Sequence, residues 1–239
     1  VSLEGHAFCC GSGNATAPLT DRHPKCLVTA GGKTLLEHNI LKLQGAGVDT
    51  LVINTHHFSD QVKAFVRTKD FGLTIHISEE TDLLGQGGGL LYASKYFQGE
   101  EAFLVCNSDI YSELDLNKLL SAHNGSQSLA TLAVAKRETS RYLRFDQNNN
   151  LCGWENQKTG EKISWNTNSY EKQAFNGIQV ISSGIFEYMS DLGTSFSTIP
   201  VYLKAAQSGE NIKAFPMNQS YWIDIGTVEK LEELRQHLI

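Results

Sequence analysis

The chain has 239 residues, 41% hydrophobic and 19% charged, with a mean hydropathy of −0.25, a balance that suits one compact domain with a sizeable core and excludes a disordered tail protein. Its apolar runs, such as residues 102–106, fall far short of the roughly 20 residues that cross a bilayer, so no membrane span is expected. The formal charge is −6 and the Lys and Arg residues are scattered, which argues against a general nucleic-acid binder and requires any polyanionic ligand to be held locally.

In chain order, residues 6–10 form a short apolar run that breaks at Gly11-Ser12-Gly13, as a buried strand entering a loop does. Leu35, Leu36, Ile40, Leu41 and Leu43 recur at helical spacing until Gly45 to Gly47 stop the pattern. Residues 51–54 read as a strand, Val62, Phe65 and Val66 as a short helix, and 73–77 as a third strand. After a glycine run, 90–97 reads as helix, and 102–106 as a buried strand ending at Asn107-Ser108-Asp109. This alternation predicts an α/β fold, a Rossmann-like, mostly parallel sheet with helices on both faces. Past Leu114 the segments 129–135, 142–145 and 151–154 read as short strands of a smaller antiparallel extension. Residues 158–170 read as an exposed loop, 174–181, 212–215 and 221–225 as strands, and 185–189, 199–206 and 228–238 as helices. No repeat or linker interrupts the chain, so residues 1–239 are expected to form one domain with lobes 1–112 and 113–239.

The cysteines, Cys9, Cys10, Cys26, Cys106 and Cys152, are odd in number and never spaced as Cys-x-x-Cys. Neither a disulfide framework nor a zinc knuckle is indicated, no secretory leader is read, and a reducing cytoplasm is the expected setting.

Ligands of open α/β sheets bind beyond the carboxyl ends of the strands, and three loops there are unusual. Gly11-Ser12-Gly13, followed by Pro24-Lys25, offers backbone N–H groups and a mobile cation to a phosphate, although a glycine-rich turn is often only a turn. Gly85-Gln86-Gly87-Gly88-Gly89 before a predicted helix is costly in backbone entropy; either a flat ligand such as a nucleobase approaches the backbone closely, or the run is a hinge. Asp109 stands at the end of the 102–106 strand, and Asp224 stands in the apolar, aromatic run 221–225. A carboxylate in such a strand is costly unless paired or metal-bound, and two of them could share one Mg²⁺. Gly31-Gly32-Lys33-Thr34 lacks the earlier glycine of a P-loop and reads as a helix start with Thr34 as cap. His56-His57 cannot present both rings on one strand face, and no Gly-x-Ser-x-Gly elbow is present.

In this order the loops resemble the sugar-1-phosphate nucleotidyltransferase family, over essentially the whole chain. The motifs are the Gly11 loop with Pro18-Leu19-Thr20 and Pro24-Lys25, the triple glycine, Asn107-Ser108-Asp109, and Trp222-Ile223-Asp224-Ile225-Gly226. They are most similar to a short bacterial branch that includes N-acetylmuramate 1-phosphate uridylyltransferases and mannose-1-phosphate guanylyltransferase-like proteins. The resemblance implies that a nucleoside triphosphate and a sugar 1-phosphate are joined to a nucleoside-diphosphate sugar with release of pyrophosphate. It implies that Gly11 and Gly13 cradle the triphosphate, that Lys25 contacts phosphate, that Gly87, Gly88 and Asn107 meet the nucleotide, and that Asp109 and Asp224 hold Mg²⁺. Asn176 and Gly177 match the strand that meets the sugar, with Glu155 a further candidate for its hydroxyls. The lobe 1–112 would then bind nucleotide, and 113–239 would bind sugar and carry the second metal aspartate. The family's first loop reads Gly-x-Gly-Thr-Arg, whereas this chain has Asn14 and Ala15 there, and Gly85-Gln86 precede its three glycines in place of an acidic residue and Thr. A second reading is therefore a relative that binds nucleotide or sugar nucleotide as a sensor or partner subunit without turnover.

Overall fold

The computed structural model describes residues 5–10, 23–56, 58–165, 169–217 and 219–239, with 5–10 given by their backbone alone. The Gly11 loop, including Gly13, Asn14 and Ala15, and also His57, lie outside the described residues.

The chain begins with β1 (Gly5–Cys10), a 3-10 turn Lys25–Leu27, a small hairpin of β2 (Thr29–Ala30) and β3 (Lys33–Thr34), and α1 (Leu35–Gly45). Then come β4 (Val48–Thr55), α2 (Ser59–Arg67), β5 (Thr74–Glu79), α3 (Gly85–Tyr92), β6 (Ala102–Asn107), β7 (Ile110–Ser112) and α4 (Leu116–Ser126). The second half holds β8 (Ala130–Ala135), β9 (Arg141–Phe145), β10 (Leu151–Asn156), β11 (Lys162–Ser164), β12 (Glu171–Ser182), α5 (Thr198–Gln207), β13 (Ile212–Pro216), β14 (Trp222–Asp224) and α6 (Val228–His237).

One ten-stranded sheet runs β11-β10-β9-β12-β6-β1-β4-β5, with β8 against β12 and β13 against β8. Neighbours from β6 to β5 are parallel, whereas β12 is antiparallel to β6, β8 and β9. The sheet is thus mixed, and the antiparallel extension expected from the sequence continues it through β12. The cause is length: β12 has 12 residues, enough to pair with β9 over Glu171, Lys172 and Gln173 and with β6 from Ile178 to Ser182. Among the described residues no helix is long and apolar enough to cross a membrane.

Period-two alternation builds a core on each face. Leu51, Ile53, Leu104, Cys106, Ile178 and Val180 pack with Leu36, Ile40 and Leu43 of α1, Val62 of α2 and Leu119 of α4. Val52, Phe103, Val105 and Ile181 face the other way, onto Leu90 of α3 and Val201 and Tyr202 of α5. A third cluster joins Ala30 and Leu35 to Ile223, Ile225, Leu231 and Leu234. Thr34 caps α1 as its sequence predicts, its hydroxyl accepting from the Glu37 N–H at 3.1 Å. The helix α4, which the sequence reading passed over, carries its own signals: Asp115 accepts from the N–H groups of Asn117 and Lys118, and Leu116, Leu119, Leu120 and His123 are buried at helical spacing.

The glycine run lies inside α3, not before it. A Cβ on Gly88 would stand 2.2 Å from the Thr194 carbonyl oxygen, and one on Gly87 would stand 2.5 Å from the Phe196 ring. The protein's own 194–197 segment is therefore what approaches these glycines closely. In the second half, Glu155 is buried, its Oε2 accepting from Arg144 Nε at 3.0 Å and from Nη2, its Oε1 paired with Lys172 at 2.5 Å. Burial alone would raise the Glu155 pKa, but Lys172 and then Arg144 outweigh it and hold the carboxyl below its ordinary value.

Two expectations follow. Alanine is worth about 1 kcal/mol more than glycine inside a helix, yet Gly88→Ala should destabilise by about 1–3 kcal/mol through overpacking. Gly45→Ala, with nothing within 4 Å of its Cβ position, should instead stabilise by about 0.4–1 kcal/mol; urea unfolding that ranks the two variants the other way refutes the packing account. Glu155→Gln leaves the Arg144 guanidinium buried and unpaired and should cost about 3–5 kcal/mol at pH 7. Because the folded-state pKa of Glu155 is depressed, its contribution is complete above the unfolded value of about 4.3 and is lost as pH falls through the folded value. The stability gap between wild type and variant should accordingly narrow below about pH 4, and a gap that widens there contradicts the pairing.

Candidate functional site

The site forms where strands end or change neighbours. β6 ends at Asn107, Ser108 and Asp109 turn the chain, and β7 leaves to pair antiparallel with β14, Asp224 lying opposite Ile110. The Ile225 N–H donates to the Asp109 carbonyl at 2.8 Å, so the two aspartates stand on adjoining strand ends. On its other side β7 is fixed by α1, where Asn39 donates to the Ile110 carbonyl at 3.2 Å and Lys42 Nζ to that of Ser112. Burial pulls the Lys42 ammonium down to about 8, as expected for a cation held among backbone groups in a core.

Each aspartate has a lysine. Lys25 Nζ donates to Asp109 Oδ2 at 3.2 Å, and Lys230 of α6 pairs with Asp224 Oδ1. Burial, then the Arg137 guanidinium, lowers the pKa of Lys230, with Lys25 and Asp109 also in its field. Lys25, Asp109, Asp224, Lys230 and Arg137 thus form one electrostatic cluster of partly exposed side chains. Two hard carboxylates suit Mg²⁺, which takes one or two of them and completes its shell with water and phosphate oxygens. Among the described residues no three His, Cys, Asp or Glu side chains gather as a metal group, so a cation here would draw its remaining ligands from solvent and substrate.

Opposite lies the middle of β12. Between Phe175 and Gln179 its register against β8 shifts, and Gly177 has φ +74°, a bulge of the kind that re-aims side chains beside binding sites. Asn176 is buried; its Oδ1 accepts from Arg137 Nε at 2.8 Å and its carbonyl from Trp222 Nε1 at 2.8 Å. A Cβ on Gly177 would stand 2.7 Å from Asn107 Nδ2, and Asn107 Oδ1 accepts from Gln86 Nε2 at 2.6 Å. Gln86, Asn107 and the Asn176-Gly177 bulge thereby form a continuous wall from α3 to β14.

The structure brings together Lys25, Asp109 and Asp224, and joins Asn107 to Gly177. Glu155, read as a further candidate for the sugar hydroxyls, is not among these contacts: both of its oxygens are engaged by Arg144 and Lys172. Gly87 and Gly88 are also read differently, because their N–H groups donate to the Phe196 carbonyl at 2.9 and 3.2 Å; the need for glycine there is met by packing within the chain. Gly11 and Gly13 lie outside the described residues. The sequence reading missed Arg137 and Lys230, and named Gln86 only as a departure from the family's glycine loop. Arg137 stands two residues past the end of β8, so the rule that directs attention beyond strand ends reaches it, whereas Lys230, in the first turn of α6, carries no local signal.

The nucleotidyl transferase family profile matches residues 8–239. Over 103 residues the chain is 38% identical to the N-acetylmuramate alpha-1-phosphate uridylyltransferase of Caulobacter vibrioides, covering 41% of this chain and 42% of that protein. It is 35% identical over 137 residues to mannose-1-phosphate guanylyltransferase 1 of Arabidopsis thaliana, covering 55% and 38% respectively, so the match spans well under half the length of either curated relative. The crystal structure of HddC from Yersinia pseudotuberculosis shares the fold, with a TM-score of 0.78 at 20% identity over 98% of this chain and 100% of that one. A family match along nearly the whole chain, with curated relatives that are sugar-1-phosphate nucleotidyltransferases, establishes that the chain belongs to the nucleotidyl transferase family.

Proposed function

We propose that the chain transfers a nucleotidyl group from a nucleoside triphosphate to a sugar 1-phosphate. A phosphate oxygen of the sugar 1-phosphate forms a bond to the α-phosphorus, the bond from that phosphorus to the α–β bridging oxygen breaks, and pyrophosphate leaves with the electron pair. The carrying observation is the placement of Asp109 and Asp224 on adjoining strand ends with Lys25 on the first of them. Asp109 and Asp224 would hold Mg²⁺, which when bound supplies charge neutralisation to phosphate oxygens. Lys25 adds a mobile cation, and the Gly11 and Gly13 backbone is assigned to the triphosphate. Asn107 lines the nucleotide side and the Asn176-Gly177 bulge the sugar side, so the chain's own contribution is positioning and electrostatics. Among the described residues, the buried free thiols Cys26, Cys106 and Cys152 accord with a cytoplasmic setting.

Ala15, where the family's first loop has arginine, favours a second reading in which substrates bind without turnover.

Pyrophosphate release, measured with each common nucleoside triphosphate, Mg²⁺ and a panel of sugar 1-phosphates, decides between the two. Turnover with one pair supports transfer; calorimetric binding with no release from any pair supports the sensor. In an active pair, Asp109→Asn or Asp224→Asn should lower kcat by about 10²-fold or more, and EDTA should abolish release. Rates unchanged in either variant remove that aspartate from the machinery.

A further inference from the structure

We propose that Arg137 is a phosphate-binding residue, its guanidinium held edge-outward by Asn176, the Phe175 carbonyl and the Trp222 ring to receive the oxygens of a phosphorylated substrate. The inference rests on the proposed nucleotidyl transfer for which phosphate is bound, and on geometry alone for the presence of the site.

The first observation is how firmly the group is fixed. Arg137 Nε donates to Asn176 Oδ1 at 2.8 Å and Nη2 to the Phe175 carbonyl at 3.0 Å, while the guanidinium carbon lies 4.5 Å from the Trp222 ring centre. Nη1 reaches only the Glu138 carbonyl, at 3.5 Å. A guanidinium has five N–H donors in one plane. Two are well engaged and one weakly, which leaves donors on the Nη edge, in a plane that Trp222 and Asn176 determine.

The second observation is the missing counter-charge. Buried and half-buried guanidinium groups normally pair with carboxylates, and Arg144 does so with Glu155. Arg137 forms no ion pair with any described residue, although it is half-buried and burial lowers its pKa. Its hydrogen-bond partners are neutral amide and carbonyl oxygens, with Tyr142 also in its field.

The third is location. Trp222 is two residues before Asp224, Asn176 adjoins Gly177, and Lys230, the partner of Asp224, feels the Arg137 charge. Arg137, Lys230 and Lys25 set three cations against Asp109 and Asp224, with Glu233 also acting on Lys230. Lys25 and Lys230 are each paired with an aspartate, so Arg137 is the one of the three without an ion pair among the described residues. A planar fork stacked on an aromatic ring suits bidentate binding of phosphate, a geometry a lysine cannot reproduce.

Two phosphates could be the ligand, that of a sugar 1-phosphate or those of the nucleotide, and calorimetry separates them. Wild type, Arg137→Gln and Arg137→Lys are titrated with glucose 1-phosphate and mannose 1-phosphate alone, and with GTP, UTP, CTP and dTTP alone. Arg137→Gln should weaken one of the two ligand classes by about tenfold or more, and Arg137→Lys should recover part of the loss, since the charge returns without the fork. Weakening confined to the sugar phosphates assigns the residue to the phosphate monoester, and weakening confined to the nucleotides assigns it to the triphosphate. A folded Arg137→Gln protein with both affinities within about twofold of wild type, or a wild type that binds neither class, overturns the proposal. Should Arg137→Gln fail to fold, Arg137→Lys decides alone: unchanged affinity for both classes overturns the site. Loss of binding in the variant alongside a wild type that releases no pyrophosphate removes the transfer reading and keeps the site. Unchanged kcat and KM in Arg137→Gln does the reverse.

Discussion

Three residues of antiparallel pairing, Ile110–Ser112 against Trp222–Asp224, tie together segments more than a hundred positions apart, and the site depends on that ribbon. Two strands of this length are not stable alone. They persist because Asn39 and Lys42 satisfy the Ile110 and Ser112 carbonyls from one side, and because Ile223 and Ile225 are buried against Leu35, Leu231 and Leu234. The ribbon sets Asp224 beside Asp109, and through Trp222 it also sets the plane of Arg137 and supports the Asn176 carbonyl.

Much of this was legible in the sequence. The helical spacing of Leu36, Ile40 and Leu43, the Thr34 cap and the apolar run ending at Asn107 all report local physics, and local physics decided those elements. Asp224 stood out because a carboxylate in an apolar strand demands a partner, and Lys230 is one. Other features depend on contacts distant in the chain. That β12 is long enough to serve two neighbours, so that the sheet is mixed, follows from pairings no window of sequence contains. The glycines of α3 read as room for a ligand or as a hinge, because a sequence shows that space is needed without showing what fills it; the occupant is the Thr194 to Ser197 backbone and the Phe196 ring at Gly85, Gly87 and Gly88, and the Glu80 and Asn54 side chains at Gly89. Glu155 read as a candidate for sugar hydroxyls because its partners Arg144 and Lys172 lie on other strands.

The arginines make a useful contrast. Arg144 is buried with a carboxylate and belongs to the scaffold, while Arg137 is half-buried with neutral partners and faces the cluster around Asp224. The two differ both in exposure and in the identity of the acceptor. An ion pair satisfies a charge within the fold, and a carbonyl orients the group while leaving its charge to act outward.

The length of β12 has a consequence for how the molecule comes apart. One backbone segment carries ladder bonds to β6, β8 and β9 at once, so neither half can melt without exposing the other's hydrogen-bonding edge and apolar face. The parallel and antiparallel regions are therefore a single cooperative unit rather than two foldons. Opening between the two regions would have to break the ladder bonds of β12 itself.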